Sequence, residues 1–513
     1  MTEVGALLAE EMTAIEWNAD HLGVSRLLMM ENAGQAVAAE IMKRQKGLFS
    51  VAIFAGLGGN GGDGFVVARH LAAHYRSVHV VVVGDPSTIR SPEAAINWRI
   101  LEKMRHSVRI SVARDSAELP NVTEDVVVDA LLGTGATGPP RPPIPQALQS
   151  MNRLAGFKVA VDLPSGIHPN TGEPTTEAAF RADVTVTFHR PKLGLLKAKT
   201  FVGKLVVADI GIPPEAELYV GPGDVLRATP PRPSYTKKGD YGRLLVVGGS
   251  SQYSGAPILA SLGALRSGVD LVYLAAPANV IAAATSQSPD LIPITLQDKV
   301  LTKADLPVLE TAFANADTVL IGPGLGTRTE TLDAIGELFT LAIKYAKPAV
   351  IDADALKVIS RVMKLGPNAV ITPHAGEFQR IAGHGVEEAL GQRAGAVREL
   401  AKMLQCVVVL KGPVDIVSAP TGTRYNWTGT PAMSVGGTGD VLAGLIAGLR
   451  AQGVSSFLSA SVGAFVNGAA GMLAFRAKGT GLIASDLLEY APQVLANPTA
   501  VPVPYNISIP IGT

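Results

Sequence analysis

The chain has 513 residues, with 44 Lys and Arg against 44 Asp and Glu, and a pI of about 7.1. This balance gives no electrostatic case for nucleic acid or an anionic membrane surface as a partner. A chain of this length is too long to fold around one hydrophobic core, which predicts two domains. Cys406 is the single cysteine, which excludes an internal disulfide and a multi-cysteine metal site. Apolar runs of strand length and the lack of a leader pattern predict a cytoplasmic protein without a membrane span.

The first half predicts helices followed by a parallel sheet. Residues 1–46 carry apolar positions at helical spacing. Short β-branched runs then alternate with helical segments, and each run ends in glycine, proline or a polar residue. These runs are Val51–Phe54, Val78–Val83, Val126–Asp129, Val159–Asp162, Val184–Phe188 and Leu205–Ile210. Continuous apolar strands of this kind are typical of a sheet covered by helices on both faces.

A proline-rich stretch at 229–234 predicts a linker, after which the same alternation restarts. The second set of predicted strands is Leu244–Gly248, Leu271–Ala275, Thr318–Ile321, Ala349–Asp352, Ala369–Thr372 and Val407–Leu410. Helical spacing then extends from Gly436 to about Val494. The expected organisation is two three-layer αβα domains at 1–225 and 237–497, a linker at 226–236 and a tail at 498–513.

A glycine-rich turn, Gly56–Gly64, follows the first predicted strand, and a helix is expected to open at Phe65. The turn formally contains the dinucleotide fingerprint GxGxxG, and Asp85 ends the next strand. Asn60 and Asp63 inside the turn argue against a dehydrogenase, because a carboxylate there would repel a pyrophosphate.

Two further strand ends in the first half are polar, at 129–138 and 161–167. Carboxyl ends of parallel strands gather at one edge of a sheet, where ligands bind. Asn60, Asp129 and Ser165 offer hard oxygen ligands for an alkali or alkaline-earth cation. Asp162 is a candidate acid or base. Each residue alone fits an Asx turn or a helix cap, whereas all of them at successive strand ends favour a site.

The second half places polar groups at several predicted strand ends. Lys411 closes a buried strand, where an ammonium is costly unless it meets an anion such as phosphate. Glu377 is read either as a helix cap or as holding a magnesium-bound water. Asp352 and Asp354 are strand-end caps or neighbours of metal and phosphate. The chain has no Walker A sequence, which excludes a P-loop enzyme.

The segment Gly436–Gly444, GGTGDVLAG, is the most specific of these motifs. Its glycines leave N–H groups free to converge on one anion at a helix N-terminus. An Asp beside such an anion site is typical of a base that deprotonates a hydroxyl attacking phosphorus. The alternative is a glycine turn in which Asp440 caps a helix.

Taken together, the motifs resemble a known family. The second half resembles the ribokinase-like ADP- or ATP-dependent NAD(P)H-hydrate dehydratases in GSSQYSGAP, GPGLG, DADAL, TPHAGEF, LKG and GGTGDVLAG. The first half resembles NAD(P)H-hydrate epimerases in MENAG at 30–34, GNGGDG, DALLGTG and VDLPSGI. The resemblance covers almost the whole chain in the order of the bifunctional repair enzymes. It implies a Rossmann-like doubly wound sheet followed by a ribokinase-like domain.

The resemblance also implies a chemistry. NADH and NADPH slowly add water at ring carbon C6 and give R and S hydrates that dehydrogenases cannot use. The epimerase half interconverts the two hydrates, and the dehydratase half restores NAD(P)H from the S form. Implied cofactors are K⁺ in the first half, Mg²⁺ in the second, and ADP or ATP as phosphoryl donor, with ADP favoured for a fused chain. The apolar run 442–449 further favours a homo-oligomer.

By this resemblance each motif receives a role. Asp440 is the dehydratase base, with an anion hole from Gly437, Thr438 and Gly439. The nucleotide contacts are Lys411, Gly412, Pro413, Val414 and Asp415, and the hydrate contacts are Ala256, Gly324, His374 and Asp440. In the first half, Asn60, Asp129 and Ser165 match potassium ligands, and Asp162 is the residue implied for proton movement. The matching hydrate contacts are Gly59, Asn60, Gly61, Gly62, Asp63, Gly133, Thr134, Gly135, Ala136, Thr137, Gly138, Pro139 and Asp162.

Two positions depart from the family pattern. Gly59 replaces the first asparagine of NNGGDG, which removes one polar contact. Asp415 stands where many relatives have a threonine, which puts an acid near the adenine nucleotide.

Three alternatives remain open on the sequence. A small-molecule kinase with an accessory domain fits the GTGD turn and Lys411 equally well, but it has no use for an epimerase-like half. A non-catalytic nucleotide-binding scaffold would not need Asp162, Asn60, Asp129 and Asp440 together. A dehydrogenase is opposed by Asp63 in the phosphate turn.

Overall fold

The computed structural model describes residues 5–74, 77–136, 138–360 and 363–503. The chain divides into two compact units, Met1–Pro213 and Pro214–Thr513. Each unit contains one large sheet dominated by parallel strands, with helices on both faces. The predicted α/β class with two layered domains is therefore confirmed.

The first unit begins with two helices, and helices then separate most of its successive strands. Its strands are β1 (Ser50–Ala55), β2 (Ser77–Val83), β3 (Val108–Ala113), β4 (Val126–Ala130), β5 (Phe157–Val161), β6 (Val184–Phe188) and β7 (Lys204–Ala208). Its helices are α1 (Ala9–His21), α2 (Arg26–Arg44), α3 (Gly59–Ala73), α4 (Pro92–Leu101), α5 (Ile144–Arg153), α6 (Leu193–Lys197) and α7 (Lys199–Val202).

The strands of the first unit run parallel in the order β3-β2-β1-β4-β5-β6-β7. The order reverses between β1 and β4, which is where open α/β sheets form a ligand crevice. Strands β1, β4 and β5 are apolar and buried because helices cover both faces. The sequence analysis missed β3, an edge strand in which Arg109 and Ser111 interrupt the apolar pattern.

The second unit has a larger sheet. Its strands are β8 (Arg243–Val247), β9 (Leu271–Ala276), β10 (Leu291–Thr295), β11 (Thr318–Ile321), β12 (Ala349–Ile351), β13 (Ala369–Ile371), β14 (Val407–Leu410), β15 (Asp415–Ala419) and β16 (Gly422–Asn426). Its helices are α8 (Glu215–Leu218), α9 (Pro222–Ala228), α10 (Gly255–Arg266), α11 (Ala278–Gln287), α12 (Leu306–Asn315), α13 (Thr329–Lys344), α14 (Ala375–Ala382), α15 (Leu390–Leu404), α16 (Thr438–Ala451), α17 (Ser456–Lys478) and α18 (Ala484–Ala496).

These strands follow the order β10-β9-β8-β11-β12-β13-β14-β15-β16, parallel as far as β14 and antiparallel at β15 and β16. The sequence analysis missed β10 and the β15–β16 hairpin. Pro293 within β10 signals a break, but an edge strand tolerates a residue without an N–H donor. The hairpin is polar, so its strands lack the apolar runs that marked the others.

The segment between Pro214 and Ala228 packs with the second unit. Arg424 on β16 pairs with the buried Asp224 at 2.7 Å, and the Val220 N–H donates to the Tyr425 carbonyl at 2.9 Å. These contacts place the division of the two compact units before α8, earlier than the linker expected at 226–236. The proline-rich stretch that suggested that linker follows α9.

Helix α17 differs from the expectation that every apolar run is of strand length. The stretch Ser456–Gly481 is long and apolar enough to cross a membrane by composition, but 78% of its apolar window is buried within the fold. The run 442–449 on α16 is also buried. Because it is buried, this run offers no surface for self-association, and the expected homo-oligomer stays a prediction. The expected cytoplasmic location also stays a prediction.

Candidate functional site

The proposed cation ligands of the first unit lie together at the ends of β1, β4 and β5. The Ser165 hydroxyl and N–H donate to the two carboxylate oxygens of Asp129, each at 2.7 Å. Asn60 Nδ2 donates to the Leu132 carbonyl at 3.0 Å, and the Leu132 N–H donates to Ser165 Oγ at 2.9 Å. Burial raises the pKa of Asp129 to about 6. Asn60 Oδ1 is buried without a hydrogen-bond partner within the described ranges.

Helix α3 begins at Gly59, so the expectation that it opens at Phe65 is wrong. The GNGGDG motif forms the first turns of the helix, which places its N–H groups at the crevice. A Cβ on Gly61 would lie 1.9 Å from the Gly56 carbonyl oxygen, so the backbones approach too closely for a side chain. A Cβ on Gly59 meets nothing within 4 Å, so the missing asparagine leaves open space. Gly62 packs against Met30 instead.

The loop after β4 carries the other expected hydrate contacts. Gly133 lies beside Asn60, since a Cβ on this glycine would be 3.2 Å from the Asn60 Cβ. The Ala136 N–H donates to the Gly133 carbonyl and closes a turn that contains Thr134 and the exposed Gly135. Gly138 and Pro139 are exposed, and Thr137 lies outside the described residues. This loop therefore borders the cation ligands and faces solvent.

Asp162 directly follows β5 and adopts a left-handed backbone with φ 65°. Its Oδ1 accepts from Lys192 Nζ at 2.5 Å and from Thr187 Oγ1 at 3.0 Å. Lys192 is 1% exposed, and its ammonium also contacts Thr187 Oγ1 and the Phe188 carbonyl. The candidate acid or base is thus one half of a buried ion pair.

Two more carboxyl groups share this region. Burial, and then the charges of Asp162 and Glu16, raise the pKa of Asp63 well above its usual value. Burial also raises the pKa of Glu16 on α1, while Lys192 opposes that shift. Among the described residues, Asp63, Glu16 and Asp162 therefore lie near the Lys192 ammonium, and Arg26 and His189 also act on Glu16.

In the second unit, the GTGD turn forms the start of α16. Gly437 precedes the helix with φ 96°, a left-handed conformation that favours glycine. The Thr438 hydroxyl donates to the Met433 and Val435 carbonyls at 3.1 and 3.3 Å and fixes the approaching loop. The first N–H groups of the helix, including that of Gly439, are therefore positioned to bind an anion.

Lys411 lies beside this turn. Its Nζ is 3.4 Å from the position a Cβ would take on Gly439. It donates to Asp352 Oδ1 at 3.1 Å, and that oxygen also accepts from Thr372 Oγ1 at 2.7 Å. Burial opposes the charge of Lys411, but Asp352 and the other nearby carboxylates outweigh it and raise the lysine pKa. The ammonium therefore remains a cation beside the N-terminus of α16.

Asp440 occupies the first turn of α16. Burial and the charge of Asp352 raise its pKa to about 7, while Lys411 acts in the opposite direction. A carboxylate that titrates near neutral pH can accept a proton efficiently at that pH. The arrangement therefore joins a carboxyl group that titrates near neutral pH, an ammonium and a helix N-terminus.

The expected hydrate contacts border the same edge of the sheet. A Cβ on Gly324 would lie 3.4 Å from the Ala256 Cβ and 3.0 Å from the Tyr253 Cβ. His374 caps α14 through its ring Nδ1, which accepts from the Gly376 N–H at 3.0 Å. The side chain of Glu377 accepts from the His374 N–H at 2.9 Å, so this pair serves locally as a capping box.

The Asp415 carboxylate is held by hydrogen bonds within the protein, at the turn expected to contact the nucleotide. It accepts from the Gly412 N–H and from Asn426 Nδ2, each at 3.0 Å. Burial raises its pKa to about 6. These bonds close the turn through Pro413 and the buried Val414 against β16. The departure from threonine is thus explained by contacts within the protein.

The sequence analysis did not identify Lys192 or Glu16. Lys192 follows β6 in the run His189-Arg190-Pro191-Lys192, and a basic cluster after a buried strand was a usable signal. Glu16 lies within the regular helical pattern of α1, where nothing distinguishes it from a solvent-facing residue.

Comparisons with known proteins match both units. The family model described as YjeF-related protein N-terminus matches residues 26–194, and the model described as NAD(P)H-hydrate dehydratase matches residues 244–493. An ADP/ATP-dependent NAD(P)H-hydrate dehydratase from Bacillus subtilis, solved with ATP and Mg²⁺, is 29% identical. The match covers 54% of this chain and 98% of the Bacillus subtilis chain, with a TM-score of 0.47.

Two curated relatives match nearly the whole chain, and both are named bifunctional NAD(P)H-hydrate repair enzymes. The one from Hyperthermus butylicus is 47% identical and covers 96% of this chain and 93% of its own length. The one from Methanothermobacter thermautotrophicus is 44% identical, with coverages of 96% and 97%. With both units matched in order and at this identity, the chain belongs to the family of bifunctional NAD(P)H-hydrate repair enzymes.

Proposed function

We propose that the first unit interconverts the R and S hydrates of NADH and NADPH. The second unit dehydrates the S hydrate at the expense of ADP or ATP. Family membership supplies the substrate class. The observation that carries the second activity is the position of Asp440 at the N-terminus of α16, beside Lys411.

In the second unit, Asp440 removes the proton of the C6 hydroxyl as that oxygen attacks the terminal phosphoryl group, and the bond to the rest of the nucleotide breaks to release AMP from ADP or ADP from ATP. The backbone of Gly437, Thr438 and Gly439, together with Lys411, receives the charge on the phosphoryl oxygens. Hydroxide is a poor leaving group and phosphate a good one. Phosphate then leaves C6, and loss of a proton from the neighbouring ring carbon restores NAD(P)H.

Both ligands of the second unit, the hydrate and the nucleotide, bind along this same edge of the sheet. The hydrate ring lies against Ala256, Gly324 and His374, and the nucleotide follows the turn from Lys411 to Asp415. ADP is the preferred donor. Mg²⁺ would be held by the nucleotide phosphates, with Glu377 as the carboxylate that would contact it through water, and it would supply positive charge to the transferring phosphoryl group.

K⁺ fits the cluster of the first unit. The unpaired Asn60 Oδ1, the Leu132 carbonyl, the Asp129 carboxylate and the Ser165 hydroxyl are all oxygen donors. Hard oxygen donors of this kind suit an alkali cation. Bound there, K⁺ would supply a positive charge beside the crevice loops, and the hydrate binds along the GNGGDG turn and the loop after β4.

The test follows NADH absorbance in a mixture of R and S hydrates with Mg²⁺, K⁺ and either ADP or ATP. Recovery of NADH from both hydrates, faster with ADP, is the expected result. If NADH is recovered from the S hydrate only and the R hydrate remains, the epimerase assignment is wrong. The absence of recovery with either nucleotide would favour the small-molecule kinase, which shares the GTGD turn.

A further inference from the structure

The carboxylate of Asp162 is committed to Lys192. The ammonium has three N–H groups and three acceptors: Asp162 Oδ1, Thr187 Oγ1 and the Phe188 carbonyl. Asp162 Oδ1 accepts a second hydrogen bond from the Thr187 hydroxyl. A buried ammonium whose donors are all used forms a fixed pair with an ionised carboxylate. An ionised carboxylate cannot donate a proton, so the acid of the first unit is a different group.

Asp63 and Glu16 differ from Asp162 in their contacts. Within the described ranges, neither side chain makes a hydrogen bond or an ion pair. Asp63 lies on the first turns of α3, on the GNGGDG motif that borders the cation ligands. It is therefore an unpaired carboxyl group on a segment that faces the crevice.

The charges around these groups come from several elements. Asp63 on α3 faces Asp162 after β5, Glu16 on α1 and Lys192 at the start of α6, and Arg26 and His189 act on Glu16 as well. Among the described residues, Lys192 is the cation that acts on Asp63, and it is already paired with Asp162, so the charge of an ionised Asp63 would be poorly compensated and burial would penalise it. Burial and the neighbouring carboxylates raise the pKa of Asp63, which favours its protonated form.

We propose that Asp63, as the neutral carboxylic acid, is the catalytic proton donor of the epimerase, and that Asp162 is a fixed anion. This inference rests on the proposed epimerase function. The Asp63 proton passes to the C6 hydroxyl oxygen, the C6–O bond breaks with its electron pair leaving on water, and the N1 lone pair forms the N1=C6 bond. Water then adds to C6 from the other face and releases its extra proton to a carboxylate of the cluster. The net change is inversion at C6.

The charge of the cluster suits this path. Once Asp63 has given up its proton, it and Asp162 face the Lys192 ammonium, which is already paired, and Glu16 adds a third carboxylate whose charge Arg26 and His189 offset in part. The surplus negative charge lies next to the cationic iminium ring that forms as water leaves. Fixed charges aimed at a developing charge of opposite sign lower a barrier without reorganisation.

The test measures conversion of R to S hydrate without nucleotide, so that dehydration does not consume the product, at saturating K⁺. Asp63→Asn is expected to lower kcat by about 100-fold, the lower range of general acid catalysis. The wild-type rate is expected to fall as pH rises through the pKa of Asp63, and this fall is expected to be absent from Asp63→Asn. Asp63→Glu is expected to restore part of the rate with a displaced pH profile. Glu102→Gln, on an exposed position of the same unit, is the matched control.

An Asp63→Asn variant that epimerises at the wild-type rate, or keeps the fall at high pH, would overturn the inference. Should Asp63→Asn lower the unfolding temperature, Asp63→Glu decides, because a purely structural role gives no displaced pH profile. Failure of the proposed function is distinct, since wild-type protein would then convert no R hydrate at all.

Discussion

Each unit holds a lysine–aspartate pair at the strand ends of its sheet, across β5 and β6 in the first unit and across β12 and β14 in the second, but the two lysines are used differently. Lys192 is 1% exposed and spends its three donors within the protein. Lys411 keeps 22% of its side chain exposed, pairs with the Asp352 carboxylate and lies beside Gly439. The first pair is part of an anionic site suited to a cation, and the second leaves a cation for phosphate. Each site is suited to the ligand whose charge is opposite to the charge left over after the lysine and aspartate have paired.

The largest effect is expected from Asp440→Asn. Loss of the base should lower dehydration of the S hydrate by roughly 10²–10⁴-fold, while epimerisation in the same protein is unchanged. Asp333→Asn, on an exposed position of α13, is the matched control. The two rates are measured separately, with and without nucleotide. If a folded variant loses both activities, the two-site assignment fails.

Lys192→Met is expected to act on stability. Asp162 would remain as a buried, unpaired charge, and removing one partner of such a pair costs about 3–5 kcal/mol. Thermal unfolding should show a lower midpoint for the first unit, with S-hydrate dehydration retained. An unchanged midpoint would mean that the lysine is not paired as the structure shows.

Lys411→Met tests the opposite use of a lysine. Because its ammonium is directed at the phosphoryl site, dehydration should fall by about 100-fold, the cost of removing one donor to a developing negative charge. The unfolding midpoint should also fall, because the buried Asp352 would lose its ammonium partner, so kcat is the readout that separates the two lysines. Lys238→Met, on an exposed position, is the control. A variant that loses stability but retains kcat would assign Lys411 a structural role.

The pH profiles of the two units should have opposite signs. The pKa of Asp440 is raised to about 7, and a base acts only when ionised. The dehydration rate should therefore fall about tenfold for each pH unit below about 7 and level off above it. Epimerisation, which needs a protonated acid, should fall as pH rises. A dehydration rate that is flat through about pH 7 would exclude Asp440 as the base.

The smallest effect is expected from Gly59→Asn, which restores the usual family residue. A side chain at this position meets open space, so the free energy of unfolding should change by less than about 0.5 kcal/mol. Epimerisation rates and denaturant midpoints measure the outcome. A large gain in activity would show that the missing asparagine contacts the substrate.

The sequence predicted what local pattern controls. Buried parallel strands have continuous apolar runs, and the GTGD turn needs its glycines and its Asp in a fixed order, so both were recognisable. The pair of Asp162 and Lys192 was not, because strands β5 and β6 bring together residues far apart in sequence. Strands β3 and β10 were missed because edge positions admit polar residues and proline. Ionisation of the first site therefore required the tertiary structure.

The left-handed backbone at Asp162 also limits what evolution can place there. Asn and Gly adopt that conformation readily, and neither carries a carboxylate. Glu keeps the charge, but its longer side chain lacks the local hydrogen bonding that eases the strained backbone for Asp and Asn. Replacement of Asp by Glu, which is often neutral elsewhere, is therefore disfavoured at this position. Sequence drift in the epimerase crevice is restricted by backbone geometry as well as by charge.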